Sequence, residues 1–73
     1  RFPGVEFAHP VIVGAGCAIG AGSVIGPGVV LGDGCVVGNG CRLSAVVALP
    51  GARFSSGEEA RRIVRSPAAS VPV

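Results

Sequence analysis

The sequence predicts an all-β solenoid, a single-stranded parallel β-helix closed by a short irregular C-terminal cap. Three observations carry that expectation. From Val13 to Gly40, glycine falls on every even-numbered position except 18, 24, 30 and 36. Divided every six residues, the run reads Val13-Gly-Ala-Gly-Cys-Ala, Ile19-Gly-Ala-Gly-Ser-Val, Ile25-Gly-Pro-Gly-Val-Val, Leu31-Gly-Asp-Gly-Cys-Val and Val37-Gly-Asn-Gly-Cys-Arg. The first position is always aliphatic, the second and fourth are always glycine, and the fifth is Cys, Ser or Val. Pro27, Asp33 and Asn39, all turn formers, sit between paired glycines.

A period of six with two inward positions is a short strand followed by a sharp turn. The glycines serve where φ is positive or where another stretch of backbone comes close. The predicted core is therefore Val13, Ile19, Ile25, Leu31, Val37 and Leu43 at the first position, with Cys17, Ser23, Val29, Cys35 and Cys41 at the fifth. Val24, Val30 and Val36 at the sixth position point outward, each on a different face.

The elements follow in order. Residues 1–10 are a lead-in, with Phe7 and Val11 already in phase, so coiling is expected from near Val5. Residues 11–54 form the β-helix. Gly16, Gly22, Gly28, Gly34 and Gly40 are six apart, but the next glycine in that role is Gly51, so one unit has lost a residue between Leu43 and Ala48. Ala48-Leu-Pro-Gly-Ala-Arg and Phe54-Ser-Ser-Gly-Glu-Glu then resume the pattern. Residues 55–73 are a charged cap holding Arg61, Arg62, Arg65, Glu58 and Glu59. Ser56 and Glu59 have the spacing of a capping box, which predicts a helical turn over 58–62. Ile63-Val64 and Val71 read as short strands about a Ser66-Pro67 turn. A charged tail suits the end of a coil, whose last strands otherwise present unpaired edges.

Composition agrees with a solenoid. The 73 residues include three Phe and no Trp, Tyr or Met, too few large side chains for a globular core of this size. A net charge of +2, without a basic run carrying interleaved aromatics, argues against nucleic acid. No apolar run of membrane-spanning length and no signal-type leader is present, so a soluble, cytoplasmic protein is expected. The chain begins at Arg1 without Met, which suggests a domain upstream. With 49% hydrophobic and 14% charged residues, the surface is short of charge, and self-association or docking on such a domain is expected.

No catalytic, cofactor-binding or metal-binding residue is assigned. Gly14, Gly16 and Gly20 are one residue too widely spaced for a dinucleotide fingerprint, and the chain lacks the lysine of a P-loop. The single histidine, His9, falls at a turn position and reads as solvated. Cys17, Cys35 and Cys41 lack C-x-x-C spacing and read as reduced, inert core thiols. Asp33 and Asn39 are explained by turn preference. Arg42, Arg53, Arg61, Arg62 and Arg65 cluster where the regular repeats end and are read as capping and interface residues.

The hexads resemble those of the left-handed parallel β-helix, or hexapeptide-repeat, proteins. That resemblance implies left-handed coiling, three hexads per coil and about four coils here. Val13 should then stack on Leu31, Ile19 on Val37, Ile25 on Leu43 and Cys17 on Cys35. Three further features are similar to the C-terminal β-helix of sugar-phosphate nucleotidyltransferases, especially the mannose-1-phosphate guanylyltransferase-like group. They are P-V-I-V-G-x-G at Pro10 to Gly16, I-G-P-G-V-V-L-G-D-G at Ile25 to Gly34, and the slipped L-S-x-x-V-x-L-P-G-A-R at Leu43 to Arg53. The resemblance implies the non-catalytic part of an enzyme making nucleotide sugars, with magnesium and chemistry in another domain. The alternatives are a fragment of a hexapeptide-repeat acyltransferase, which would be expected to place a histidine within the regular repeats, and a free-standing interaction module. A carbonic-anhydrase-type β-helix, needing three metal-bound histidines, is excluded.

Overall fold

The computed structural model describes residues 2–73, so the Arg1 end of the lead-in lies outside the described residues. Ten strands follow one another: β1 (Glu6–Phe7), β2 (Val11–Val13), β3 (Ala18–Ile19), β4 (Val24–Ile25), β5 (Val29–Leu31), β6 (Val36–Val37), β7 (Arg42–Ala48), β8 (Arg53–Phe54), β9 (Glu59–Arg65) and β10 (Ser70–Pro72). The described residues contain no helix, and hence none long and apolar enough to cross a membrane.

The strands wind round a three-sided coil. On the first face β1, β4, β7 and β9 stack with Phe7, Ile25, Leu43 and Ala60 in register. The second face stacks β2, β5, β7 and β9 through Val13, Leu31, Ala48 and Arg65. The third stacks β3, β6 and β8 through Ile19, Val37 and Phe54. Every one of these pairings is parallel, and only β10 runs antiparallel, against β9. The result is a parallel β-helix of about four coils.

Two glycine jobs are separable. A side chain at Gly38 would put its Cβ 2.5 Å from the Ser56 nitrogen of the next coil. Glycine there lets the coils approach closely enough for Gly38 N–H to donate to Phe54 C=O at 2.9 Å. Gly34 has φ +71° and open space around it, so its role is the left-handed turn.

The missing residue lies at the corner between the first two faces. Where Ile25 is followed by Gly26-Pro27-Gly28 before inward Val29, Leu43 is followed by Ser44-Ala45 alone before inward Val46. Ala45 makes the tighter corner at φ 52°. The shortened corner lets β7 run unbroken round it, and coil spacing falls from 18 residues (Ile25↔Leu43) to 17 (Leu31↔Ala48).

The helical turn expected over 58–62 does not form. Residues 59–65 are strand β9, paired with β7 from Arg42↔Glu59 to Ala48↔Arg65. A single helical turn leaves nearly all its backbone groups unpartnered and must meet the cost of nucleation, whereas β7 offers a ready ladder. Glu58, rather than the Ser56/Glu59 pair, closes the local turn by accepting the Ser55 N–H at 2.9 Å. Ala60 to Val64 is in fact a second five-residue unit, with Arg62 at φ 56° repeating the corner of Ala45. Parallel stacking thus continues to Arg65, and the hairpin β9–β10 ends the coil.

Ile19, Ile25, Val29, Leu31, Val37, Leu43, Val46, Ala48, Ala52 and Phe54 are buried along the axis. In the first coil Phe7, Val13 and Cys17 are only half-buried, because they have a neighbouring coil on one side alone. Phe2 partly covers that end, its ring 6.0 Å from that of Phe7. The other end is shut by Arg65, whose guanidinium lies 4.5 Å over the Phe54 ring.

Candidate functional site

The fifth-position side chains repeat one hydrogen-bonding motif. Cys17 Sγ donates to Gly32 C=O (3.2 Å), Ser23 Oγ to Gly38 C=O (2.9 Å), Cys35 Sγ to Leu49 C=O (3.3 Å) and Cys41 Sγ to Ser55 C=O (2.9 Å). Each acceptor is the second residue of a later unit, just past a strand, where the carbonyl turns in from the ladder. A small donor at the fifth position supplies such a carbonyl with a partner. Sulfhydryl and hydroxyl thus serve the same structural end, and the three cysteines are free thiols. Cys35 and Cys41 are buried, Cys17 is half-buried, and burial pushes the Cys35 thiol up, away from the reactive thiolate.

His9 lies exposed in the turn between β1 and β2. Asp33 Oδ1 accepts the Ala15 N–H of the preceding coil at 2.8 Å, and Asn39 N–H donates to Ser56 Oγ at 3.3 Å, so both residues tie turns together. Among the described residues no three His, Cys, Asp or Glu side chains converge to hold a metal.

The arginines divide into two groups. Arg65 and Glu58 form a two-pronged ion pair at the closed end, with Arg65 Nη1 3.1 Å from Glu58 Oε1 and Nη2 on Oε2. Arg65 also donates to Arg53 C=O at 2.9 Å. The Arg65 hydrogen bond holds the Glu58 carboxyl below its ordinary range. Arg42 and Arg61 instead flank a shallow groove of about 380 Å³ on the first face, with Val24, Leu43 and Ser44 in its wall. Two guanidiniums and a hydroxyl can hold an anion, but exposed Glu59 shares the groove and opposes one.

The second face carries a feature that sequence reasoning missed. Outward residues Ile12, Val30, Val47 and Val64 stand in register on β2, β5, β7 and β9, and Val71 on β10 continues the row. The six-residue period places Val30 outward but does not pick out its companions. Adding 18 to Ile12 and then 17 twice finds them, a count that needs both shortened units to be known.

Residues 10–45 match the family described as the hexapeptide repeat of succinyl-transferase. The chain carries a hexapeptide-repeat β-helix. Its winding is accordingly the left-handed coil of that repeat class. The hexapeptide match stops at Ala45, the residue that makes the shortened corner, so it covers the regular hexads and not the slipped segment. No curated protein and no solved structure matches the chain.

Proposed function

We propose that this β-helix is the non-catalytic portion of a cytoplasmic sugar-1-phosphate nucleotidyltransferase, serving assembly or regulation while another domain performs the chemistry. The observation that carries the reading is the slipped segment Leu43 to Arg53. It is the most specific part of the likeness to mannose-1-phosphate guanylyltransferase-like β-helices, and it corresponds here to a defined device, the two-residue corner Ser44-Ala45. The side chains also favour a structural role. Among the described residues, Asp33 accepts the Ala15 N–H and Glu58 pairs with Arg65, so both carboxylates tie the coil together. The experiment compares two polypeptides for pyrophosphate release from a nucleoside triphosphate and a sugar 1-phosphate. The product of the whole open reading frame is expected to turn over and the 73-residue chain to be inert. Turnover by the chain alone, or none by the whole product, removes this reading.

A second reading is favoured by the succinyl-transferase description of the matching repeat: the coil belongs to an acyltransferase. His9 is the one imidazole that such an enzyme could recruit, and it lies before the first regular hexad rather than within the repeats. Thiol release from an acyl-CoA by the whole product, abolished by His9→Ala, would select this reading over the first.

A further inference from the structure

We propose that the groove on the first face binds a small organic monoanion, its carboxylate seated over Ser44 between the guanidiniums of Arg42 and Arg61. Outward positions alternate with inward ones along each strand. Val24 and Gly26 flank inward Ile25, Arg42 and Ser44 flank Leu43, and Glu59 and Arg61 flank Ala60. Register sets Arg42 between Val24 and Glu59, and Ser44 opposite Arg61. Gly26, whose N–H donates to Leu43 C=O at 2.7 Å, brings bare backbone to the other side of Ser44. Half-buried Ser44 thus has one arginine two residues before it and another across from it, with no bulky side chain on the Gly26 side. The groove has room for a ligand at that point, about 380 Å³ in all.

Charge selects the class of ligand. Among the described residues the one ion pair is that of Arg65 and Glu58, so neither Arg42 nor Arg61 is matched to a carboxylate. Residues directly opposite in a sheet stand ~4.8 Å apart and diagonal ones about 7–8 Å. Glu59 is therefore next to both arginines but diagonal to Ser44. One carboxylate offsets one guanidinium, which leaves a single positive charge beside Ser44. A monoanion completes that balance, whereas a doubly charged phosphate sets excess negative charge against Glu59. A carboxylate also has the planar pair of oxygens that a guanidinium meets with two parallel N–H donors, and the Ser44 hydroxyl adds a third donor. Half-buried Val24 supplies an apolar wall for a short hydrocarbon body. In so small and open a groove, affinity on the order of 1–10 mM is expected. The other hollow lined by two arginines, at the Ser66 to Ser70 turn, differs: its Arg65 is already held by Glu58 and Ser70.

Titration of the isotopically labelled 73-residue chain with butyrate, and separately with inorganic phosphate, tests this by amide chemical shift at constant ionic strength. Butyrate should give saturable shifts at Arg42, Ser44 and Arg61, leave Arg53 and Ser66 unmoved, and bind more tightly than phosphate. Arg61→Gln should weaken butyrate at least about fivefold, as loss of a charge-assisted pair demands, and Arg53→Gln should leave it unchanged. Glu59→Gln should act in the opposite sense, tightening butyrate and narrowing its advantage over phosphate. The spectrum away from the groove identifies any variant that has lost its fold, and Arg42→Gln then stands in for Arg61→Gln. Shifts that fail to saturate by about 50 mM, some fivefold above the weakest expected affinity, overturn the proposal. So does tighter binding of phosphate than butyrate, equal loss from Arg61→Gln and Arg53→Gln, or weaker binding by Glu59→Gln. The site is independent of which enzyme the coil serves, so failure of the nucleotidyltransferase assay leaves this test unaltered.

Discussion

Replacing Gly38 and Gly34 by alanine, one at a time, separates the two reasons for glycine in each hexad. At Gly38 the new Cβ would meet Ser56 N at 2.5 Å, Ser56 Cα at 2.7 Å and Ser56 Oγ at 2.7 Å. Ordinary contact begins near 3.4 Å, so the next coil must retreat by close to an ångström. That retreat stretches the bonds flanking the contact, Gly38 N–H to Phe54 C=O at 2.9 Å and Gly57 N–H to Asn39 C=O at 2.8 Å. Each such bond is worth about 1 kcal/mol net, and overpacking adds about 1–3 kcal/mol, giving about 3–5 kcal/mol in all. At Gly34 the Cβ meets nothing within 4 Å, and only φ +71° is unfavourable. Left-handed backbone costs alanine about 1–2 kcal/mol, and the stiffer unfolded chain returns about 0.4–1, for a net loss of about 1 kcal/mol. A domain of 73 residues is stable by only about 4–11 kcal/mol, so Gly38→Ala should be close to unfolding while Gly34→Ala stays folded. Urea denaturation followed at 218 nm (about the β-sheet minimum) measures both, with equal m-values expected for the folded variants. In thermal scans the Gly34→Ala loss corresponds to roughly 4–8 °C. Equal costs, or a larger cost at Gly34, would refute the claim that the second glycine is there for coil-to-coil approach.

Three further outcomes are expected. Ser23, fully buried, donates to Gly38 C=O and accepts the Cys41 N–H, so Ser23→Ala should cost about 2–3 kcal/mol in urea midpoint analysis and Ser23→Cys less, since a thiol keeps the donor. Arg65 lowers the folded-state Glu58 carboxyl below its ordinary value of 4.5, so the stability it contributes is complete above that pH and declines as pH falls through the lower folded value. Glu58→Gln should flatten the pH dependence of the thermal midpoint in that acid window and leave its slope near neutrality unchanged. With a thiol reagent under native conditions, half-buried Cys17 should label first, while Cys35 and Cys41 should wait for opening of the coil; prompt labelling of all three would contradict their burial.

The sequence by itself determined the coil. Glycine at the second and fourth positions and an aliphatic first residue are local requirements of a strand–turn unit, so a period of six specified which side chains face inward from Ile19 to Leu43. It also located the lost residue between Leu43 and Ala48, because a missing spacing shows in the glycines that flank it. Only the tertiary structure decided the tail. Ala60 to Val64 has no glycine to mark its register, and Ser56 with Glu59 satisfies a helix-start pattern equally well. The unpaired N–H and C=O groups along β7 settled the matter, a long-range partner overriding a local preference. The row on the second face was hidden for the same reason. Which outward residues share a face depends on summed coil lengths, and each shortened corner shifts every later residue by one. The Cys and Ser donors were legible as small core residues but not as partners of corner carbonyls, since those carbonyls lie 14 or 15 residues away in the next coil. A repeat encodes its own turn; what that turn meets is set by the coil stacked upon it.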